Sequence, residues 1–526
     1  MDDTLPPSAG AGGPGSPDGP RRGARLAMFR SRAQVGLEAP PVGIEVLLSG
    51  GLPSFNIVGL PETAVRESRD RVRGAILSSG FDFPQERITV SLAPADLRKA
   101  GGRFDLAIAL GILTAGGQVR ATRGRGFEFY GELGLNGELR AIPGALPAAL
   151  KAAEAGRAVM VPSANGTEAS LASARVHVAA SLAEVTAMIA GRTACRPLPR
   201  ALPPPGDEPS PDLAEVQGQE LAKRALEITA AGGHNLLFCG PPGTGKSMLA
   251  RRLPGILPAM SDAEALETAA VDSVLGRRFD PSSWRRRPFR APHHTASAAA
   301  LVGGGSEPRP GEISRAHNGV LFLDELPEFD RNVLEVLREP LEAGAITISR
   351  AGRQADFPAR FQLVAAMNPC PCGYLGDPRG DCRCSEDKVR NYRAKVSGPL
   401  LDRIDLQVSV PRLPVGALRP GSAPTESSAA VRVRVCVARA LQRARGAACN
   451  ARLEGTPLEE LCALPPEAWA LLESAVSNFG MSARAHQRVR RVARTIADLA
   501  GSTAIAPEHI GEALNLRQFD RTGNSP

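Results

Sequence analysis

The stretch NLLFCGPPGTGKSMLARRL, residues 235–253, decides the fold class of this chain. Its first part, NLLFC, is an apolar run typical of a buried strand, and its last part, MLARRL, has the composition of a helix. Between them, GPPGTGKS fits the spacing G-x-x-x-x-G-K-[ST] of a phosphate-binding loop. A strand, a glycine-rich turn and a helix in this order predict a P-loop on a parallel α/β sheet.

Each residue type in this loop has a chemical role in binding phosphate. Glycines let backbone amides approach phosphate oxygens closely. The Lys246 ammonium neutralises those oxygens, and the Ser247 hydroxyl is a ligand for Mg²⁺. The loop therefore predicts ATP and Mg²⁺ as cofactors. The residues predicted to contact them are Gly240, Pro241, Pro242, Gly243, Thr244, Gly245, Lys246, Ser247 and Met248.

Two further predicted strands end in polar residues. VLFL, residues 320–323, precedes Asp324 and Glu325, which should lie at the carboxyl edge where parallel sheets bind ligands. We expect Asp324 to hold Mg²⁺ and Glu325 to orient and deprotonate the attacking water. The strand FQLVAAMN ends in Asn368, which could hold that water or the γ-phosphate, although Asn before Pro is commonly a turn former. Together these residues predict ATP hydrolysis.

Four cysteines follow Asn368 directly, in the pattern C-x-C-x9-C-x-C. Four thiols so close together suit a tetrahedral zinc site, and the predicted ligands are Cys370, Cys372, Cys382 and Cys384. The spacing departs from the usual C-x2-C, so free thiols in a loop are the alternative. The clustered cysteines and an acidic, apolar-poor start indicate reduced thiols in the cytoplasm. No apolar run is long enough for a membrane span.

Changes in composition divide the chain. Gly/Pro-rich and Pro-rich stretches are expected to be a tail, a linker and a loop, and the blocks between them to be folded. The predicted segments are a disordered tail 1–24, an α/β block 25–192, a linker 193–211, a parallel-sheet core 212–410 that includes the cysteine segment 370–384, a loop 411–428, and a helical lid 429–520. The formal charge of +8 gives only mild support for a nucleic-acid partner, since 57 of the 63 basic residues are arginine.

Several longer motifs carry a family resemblance. They are GLPSFNIVGLPETAVRESRDRVRGAI, SLAPADLRKAGGRFDLAIALGIL, RPFRAPHHTASAAALVGGG, PGEISRAHNGVLFLDELPEF, MNPCPCGYLGD, SGPLLDRIDL and RVARTIADL. With them the chain resembles the YifB/ComM family of magnesium-chelatase-like AAA+ ATPases over nearly its whole length beyond the tail. The resemblance implies a ring, a hexamer, in which each ATP site is completed by the neighbouring subunit.

The same resemblance suggests roles for two arginines. Arg403, in LLDRIDL, resembles an arginine finger, which neutralises transition-state charge from the neighbouring subunit. An ordinary helix-end salt bridge is the plainer alternative for Arg403. Arg484 resembles the sensor-2 arginine of the lid, with Arg488 and Arg491 as near rivals.

The core also resembles the MCM helicases, in which a hairpin projects into the central pore. The matching segment, EAGAITISRAGRQADFPARF at 342–361, carries Arg350 and Arg353 near its turn. These two residues are candidates for contacts with DNA phosphates, and a solvated basic turn is the alternative. His293-His294, between a basic run and a Gly-rich loop, could serve in a pore loop or in the structure.

The block 25–192 resembles the domain that carries the Ser-Lys dyad of Lon-type proteases. The dyad is absent, because Gly102, Arg103, Phe104 and Asp105 stand where the serine belongs, and Pro147 and Ala149 where the lysine belongs. Lys151 is displaced by two positions, which turns it to another face of its predicted helix. We therefore expect an inactive domain that binds a partner or organises the ring.

The leading hypothesis is an ATP-driven, DNA-stimulated ring motor. The family resemblance suggests helicase or branch-migration work on branched or single-stranded DNA in recombination or natural transformation. The alternative is a chelatase-like or chaperone-like ATPase that remodels a protein partner.

Overall fold

The computed structural model describes most of the chain in two compact units, one of residues up to 34 and 39–199, the other of 35–38 and from 200 onward. Residues 1–23 of the predicted tail, parts of the predicted linker and residues 415–424 of the predicted loop lie outside the described residues. Among the described helices, none combines the length and apolar character needed to cross a bilayer. The described ranges are 24–172, 174–200, 202–204, 206, 210–305, 308–350, 353–378, 380–414 and 425–518.

The first unit is built on a four-stranded sheet in the order β1-β2-β4-β3. Buried and exposed residues alternate along its first strands, so that one face of the sheet forms a core. Helix α2 is buried on nearly every side, because its sequence DLAIALGILTA is apolar all round. A three-stranded parallel sheet, β5-β8-β9, and the pair β6-β7 follow.

The elements of this unit are β1 (Arg25–Arg32), β2 (Pro41–Ser49), β3 (Ser54–Val58), α1 (Thr63–Ser78), β4 (Arg87–Ala93), α2 (Asp105–Ala115), β5 (Phe127–Phe129), β6 (Glu132–Leu133), β7 (Leu139–Arg140), α3 (Ala145–Glu154), β8 (Ala158–Pro162), α4 (Gly166–Ala169), β9 (Val176–Ala179) and α5 (Leu182–Ile189).

The second unit contains a five-stranded sheet in the order β11-β12-β15-β10-β16, and all of its neighbouring strands are parallel. Its central strands are buried at every or nearly every position, which explains their continuous apolar sequences. The prediction of an α/β protein with a parallel sheet is confirmed. The strand order brings the carboxyl ends of β10, β12 and β15 to the same edge.

The elements of the second unit are α6 (Glu220–Gly232), β10 (Leu236–Cys239), α7 (Lys246–Ala250), α8 (Leu253–Ile256), α9 (Asp262–Val274), β11 (Phe289–Arg290), α10 (Ala298–Val302), α11 (Glu312–Arg315), β12 (Val320–Leu323), α12 (Arg331–Glu335), α13 (Arg338–Ala343), β13 (Ala345–Arg350), β14 (Arg353–Pro358), β15 (Gln362–Met367), α14 (Glu386–Arg393), α15 (Gly398–Leu401), β16 (Leu406–Ser409), α16 (Ser428–Ala444), α17 (Gly455–Leu461), α18 (Pro466–Phe479), α19 (Ala483–Leu499) and α20 (Pro507–Asn515).

Helices α16 to α20 share one apolar core with the sheet, since residues such as Val489 and Ile496 cluster with Phe238 and Val408. A buried ion pair also holds helix α19 against the sheet. Asp405, just before β16, accepts a hydrogen bond from Arg488 of α19 at 2.7 Å. Burial raises the pKa of Asp405, but Arg488 and His234 outweigh burial and hold that pKa well below its usual range.

We expect Asp405→Ala to destabilise the second unit by about 3–5 kcal/mol, because it leaves the Arg488 guanidinium largely buried without its carboxylate. Urea unfolding followed by circular dichroism measures the loss. The control is Glu473→Ala at an exposed position of α18, expected to change stability by less than about 0.5 kcal/mol. A loss below about 1 kcal/mol for Asp405→Ala would show that the pair does not hold α19 to the sheet.

Candidate active site

The turn after β10 has the backbone of a phosphate-binding loop. Gly243 and Gly245 have φ angles of +76° and +93°, a region that glycine enters without a Cβ penalty. A Cβ atom at Gly240 would lie 2.1 Å from the carbonyl oxygen of Val410. A side chain is thus sterically excluded at Gly240. At Gly243 and Gly245, any residue other than glycine would have a strained backbone.

Lys246 begins α7 directly after this turn and is buried. Its Nζ donates to the carbonyl oxygens of Gly240 at 2.7 Å and Pro241 at 2.9 Å, and to Oδ1 of Asn368 at 3.1 Å. Burial lowers the pKa of Lys246. The ammonium is therefore folded over the loop and held by neutral acceptors that phosphate oxygens can replace.

Ser247 and Asp324 meet across the sheet edge, where the Ser247 hydroxyl donates to Oδ2 of Asp324 at 2.5 Å. Oδ1 of the same carboxylate accepts the backbone N–H of Glu325 at 3.0 Å. The register explains the meeting, since β15 pairs with β10 on one side and with β12 on the other. The fold thus gathers Lys246, Ser247, Asp324 and Asn368 at one place, and their roles stay predictions.

Glu325 follows β12 in a left-handed backbone conformation, with φ at +53°. Its side chain is 53% exposed, and Oε2 lies 3.2 Å from Nδ1 of His294. The ring of His294 packs against that of His293 at an interplanar angle of 33°, with centroids 4.2 Å apart. Sequence reasoning singled out this histidine pair without linking it to Glu325. The only signal was a pair of histidines shortly after the edge strand β11.

Family models of the magnesium chelatase subunit ChlI match three stretches of the chain. "Magnesium chelatase, subunit ChlI" matches residues 212–418, "Subunit ChlI of Mg-chelatase" matches 44–165, and "Magnesium chelatase, subunit ChlI C-terminal" matches 425–517. The chain is 49% identical to the uncharacterized protein YifB of Salmonella typhimurium and to the competence protein ComM of Haemophilus influenzae. Each alignment covers 94% of this chain and 98% of the relative.

The chain belongs to the YifB/ComM family. The resemblance inferred from its motifs is confirmed, and with it the magnesium-chelatase-like AAA+ ATPase class.

In this YifB/ComM-family protein, Arg403 is buried and engaged within its own chain. Nη1 donates to the carbonyl oxygen of Pro399 at 2.6 Å, and Nη2 pairs with Glu342. Burial lowers the pKa of Arg403; the Glu342 carboxylate opposes this shift, and the charges of Arg338 and Arg484 add to it. Arg403 thus forms a salt bridge, with Glu342, as the alternative to an arginine finger expected. Its role as an arginine finger stays a prediction.

Arg484 lies exposed in the first turn of α19. Its rival Arg488 is one turn further along, where Nη1 donates to Asp405. Arg491 is mostly buried, and Nη1 approaches the carbonyl oxygen of Ala451 at 3.4 Å. Because the two rivals are held by partners within the chain and Arg484 is exposed, Arg484 stays the prediction for sensor 2.

The four predicted zinc ligands lie together after β15, and their Sγ atoms are all within 4.8 Å of one another. The Cys370 Sγ lies 3.3 Å from that of Cys372 and 3.7 Å from that of Cys382. Zinc–sulfur distances of about 2.3 Å place thiolates about 3.8 Å apart in a tetrahedron. A hydrogen bond from the Tyr374 amide and contacts with the other thiols lower the pKa of Cys372 to about 6. The donor set fits zinc in both chemistry and size.

The cysteine segment also abuts the P-loop. Gly373, with φ at +85°, lies so close to it that a Cβ atom there would be 2.7 Å from Cδ of Pro242 and 3.8 Å from Cγ of Asn368. The Gly373 N–H donates to the carbonyl oxygen of Cys370 at 3.0 Å. A metal held by the cysteines would thus brace the wall of the ATP site.

The segment 342–361 contains an antiparallel hairpin, β13 with β14. The ladder continues to the pair Arg350–Arg353, so both residues lie at its last described position. Their side chains lie outside the described residues. Contact with DNA by Arg350 and Arg353 therefore stays a prediction.

Proposed function

We propose that this protein is an ATP-hydrolysing ring motor that moves DNA, a helicase or branch-migration factor in recombination or natural transformation. The observation that carries the hydrolytic part is the meeting of Lys246, Ser247 and Asp324 at one sheet edge with Glu325 beside them. The DNA part is supported by the hairpin β13–β14 and by similarity to a competence protein over 98% of that relative's length.

Each site residue has a separate role in phosphoryl transfer. The Ser247 hydroxyl and the Asp324 carboxylate offer the oxygen ligands that Mg²⁺ prefers, and a bound Mg²⁺ would neutralise charge on the transferred phosphate. Lys246 exchanges its carbonyl acceptors for phosphate oxygens. Glu325 accepts the proton of the attacking water, and the amide of Asn368 orients that water or the γ-phosphate.

Ring assembly, as a hexamer, would complete the site. We propose that Arg403 leaves Glu342 when a neighbouring subunit presents its nucleotide, and that Arg484 of the helical lid reaches the nucleotide of its own subunit. Both arginines then contribute charge that stabilises the transition state. The Cys370–Cys384 segment holds a structural zinc, and the protein works in the cytoplasm, where thiols stay reduced.

The first unit is proposed to be a Lon-like domain without peptidase activity. Arg103, at the position of the missing serine, is buried and donates to Gln34 at 3.2 Å. Its neighbour Asp105 accepts a hydrogen bond from Arg71 at 2.7 Å, and burial raises the pKa of Asp105 to about 7. Lys151 pairs with Glu154 of the same helix. The buried Arg103 and the Arg71–Asp105 ion pair take up the stretch that would carry the serine, which supports a binding or ring-organising role.

The DNA assignment is tested by ATP turnover with and without a branched DNA. We expect branched DNA to raise the wild-type rate, and the double variant Arg350→Ala/Arg353→Ala to lose that stimulation while keeping its rate without DNA. For duplex DNA, the slope of log affinity against log salt is negative, and its magnitude should decrease by about 0.9 for each phosphate contact that the variant removes.

The matched control removes two exposed arginines of α16, Arg432→Ala/Arg443→Ala, and should leave DNA stimulation unchanged. A folded wild-type ATPase that neither binds branched DNA nor responds to it would exclude a DNA motor. If its turnover instead responds to a protein partner, the chelatase-like or chaperone-like alternative is correct.

A further inference from the structure

The side chain of Asn368 faces the phosphate-binding loop, where its Oδ1 accepts a hydrogen bond from Nζ of Lys246 at 3.1 Å. The chain before it is fixed by the sheet, since the carbonyl oxygen of Met367 accepts the Gly240 N–H at 3.2 Å. The next residue, Pro369, has no N–H and restricts the backbone angles of the residue before it. The position of the Asn368 amide therefore depends on what holds the chain at Pro369.

Helix α14 supplies this hold. Nε of Arg393, the last residue of the helix, donates to the carbonyl oxygen of Pro369 at 3.2 Å. Pro369 is buried, so its carbonyl needs a hydrogen-bond partner within the protein. Among the described residues, Arg393 is half-buried and forms no ion pair with a carboxylate. Its charge is therefore directed at this carbonyl, and hydrogen bonds from a charged donor are stronger than those from a neutral one.

Tyr392, one residue earlier in α14, approaches the same part of the chain. It is buried, and it belongs to the apolar cluster that contains Met367 at the end of β15. Burial raises the pKa of Tyr392, and a hydrogen bond with the backbone of Asn368 opposes that rise. Two consecutive residues of one helix thus contact the chain at Asn368 and at Pro369.

The place of α14 is set at both of its ends. Ser385, directly after Cys384, caps the start of the helix, where its hydroxyl accepts a backbone N–H at 3.4 Å. Beyond the end of the helix, Val396 is buried in the same apolar cluster as Tyr392. Two turns of helix, about 12 Å long, therefore connect the cysteine cluster to the residues that contact Asn368 and its neighbour.

We propose that Arg393 and Tyr392 are positioning residues for Asn368. The proposal rests on the proposed function, in which the Asn368 amide orients the attacking water or the γ-phosphate. By holding the chain at Pro369, the two side chains fix where that amide lies before nucleotide binds. Displacements of about 1 Å near a reacting group cost about 10²-fold in rate, so the hold should affect turnover far more than ATP binding.

The test is steady-state ATP turnover of the full chain, together with the affinity for a fluorescent ATP analogue. Arg393→Ala should lower kcat about ten- to hundredfold, because the chain at Pro369 is no longer held. The affinity for ATP should change less than about twofold, since the phosphate-binding loop is untouched. Arg393→Lys can donate to the same carbonyl and should keep kcat within about threefold of wild type.

A milder variant tests the other contact. Tyr392→Phe keeps the ring in the core and removes only the hydroxyl, so the fold should be preserved. It should lower kcat about two- to tenfold, the factor that corresponds to one hydrogen bond. A kcat equal to that of wild type would exclude Tyr392 from the hold on Asn368.

The deciding measurement combines each change with Asn368→Ala. If Arg393 acts through the Asn368 amide, Arg393→Ala should lower kcat by less than about twofold further once that amide is absent. A residue that only stabilises the fold would lower kcat by the same factor in both backgrounds. Equal losses in the two backgrounds therefore contradict the proposal.

The matched control is Arg390→Ala, at an exposed arginine of the same helix that pairs with Asp387, and it should keep wild-type kcat. A weaker affinity for ATP with unchanged kcat in Arg393→Ala would assign this arginine to nucleotide binding and overturn the proposal. Wild-type turnover in Asn368→Ala would remove the role of Asn368 itself, and the proposal with it. If DNA leaves turnover unchanged while the losses remain non-additive, the positioning role stands and only the DNA assignment fails.

Discussion

Glu325→Gln is expected to bind ATP normally and to lose turnover by a factor of about 10²–10⁴, the usual contribution of a general base. The amide has nearly the same shape as the carboxylate but cannot accept a proton from water. Lys246 and the Ser247–Asp324 pair, which are predicted to hold nucleotide and Mg²⁺, are untouched. Single-turnover hydrolysis and equilibrium binding of a fluorescent ATP analogue measure the two properties separately.

A nearby control is available in Glu328→Gln, at an exposed residue that pairs with Lys395 at 3.5 Å. It should keep wild-type turnover. ATP that binds without being cleaved should also trap the proposed ring, which light scattering would report as an ATP-dependent oligomer. Turnover of Glu325→Gln within about tenfold of wild type would mean that another group activates the water.

The parts of this site that sequence could predict are those set by local chemistry. Glycine is favoured at positions 243 and 245 because the backbone there is left-handed, so Gly243 and Gly245 could be recognised from the P-loop motif alone. The placement of Asp324 and Asn368 followed from a rule about parallel strands, which end at a common edge. Continuous apolar runs also predicted the strands, because a strand buried on both faces has no polar positions.

The contacts that sequence did not predict join residues far apart in the chain. Arg403 pairs with Glu342, and His294 pairs with Glu325, across separations that no helical or strand period links. The close packing of Gly373 on Pro242 is of the same kind, since it depends on how the cysteine segment folds back after β15. Such contacts are set by tertiary packing, and a local motif carries no signal for them.

Loss of metal from the cysteine cluster is expected to weaken ATP binding as well as local folding. The double variant Cys382→Ser/Cys384→Ser removes half of the donor set, and zinc in the purified protein should fall from one per chain to a trace. Without the proposed zinc, the segment would no longer hold its own residue Gly373 against Pro242 of the P-loop. Displacements of about 1 Å near a reacting group cost about 10²-fold in rate, so turnover should fall by a comparable factor.

The measurements are zinc content by atomic emission, ATP affinity and turnover, each compared with Cys436→Ser. That control removes an exposed thiol of α16 and should change none of the three. Two results would contradict the expectation. Wild-type protein that contains no zinc would make the four residues free thiols. A zinc-free variant that binds and hydrolyses ATP normally would show that Gly373 and Pro242 stay in contact without the metal, so that the cluster stabilises only its own loop.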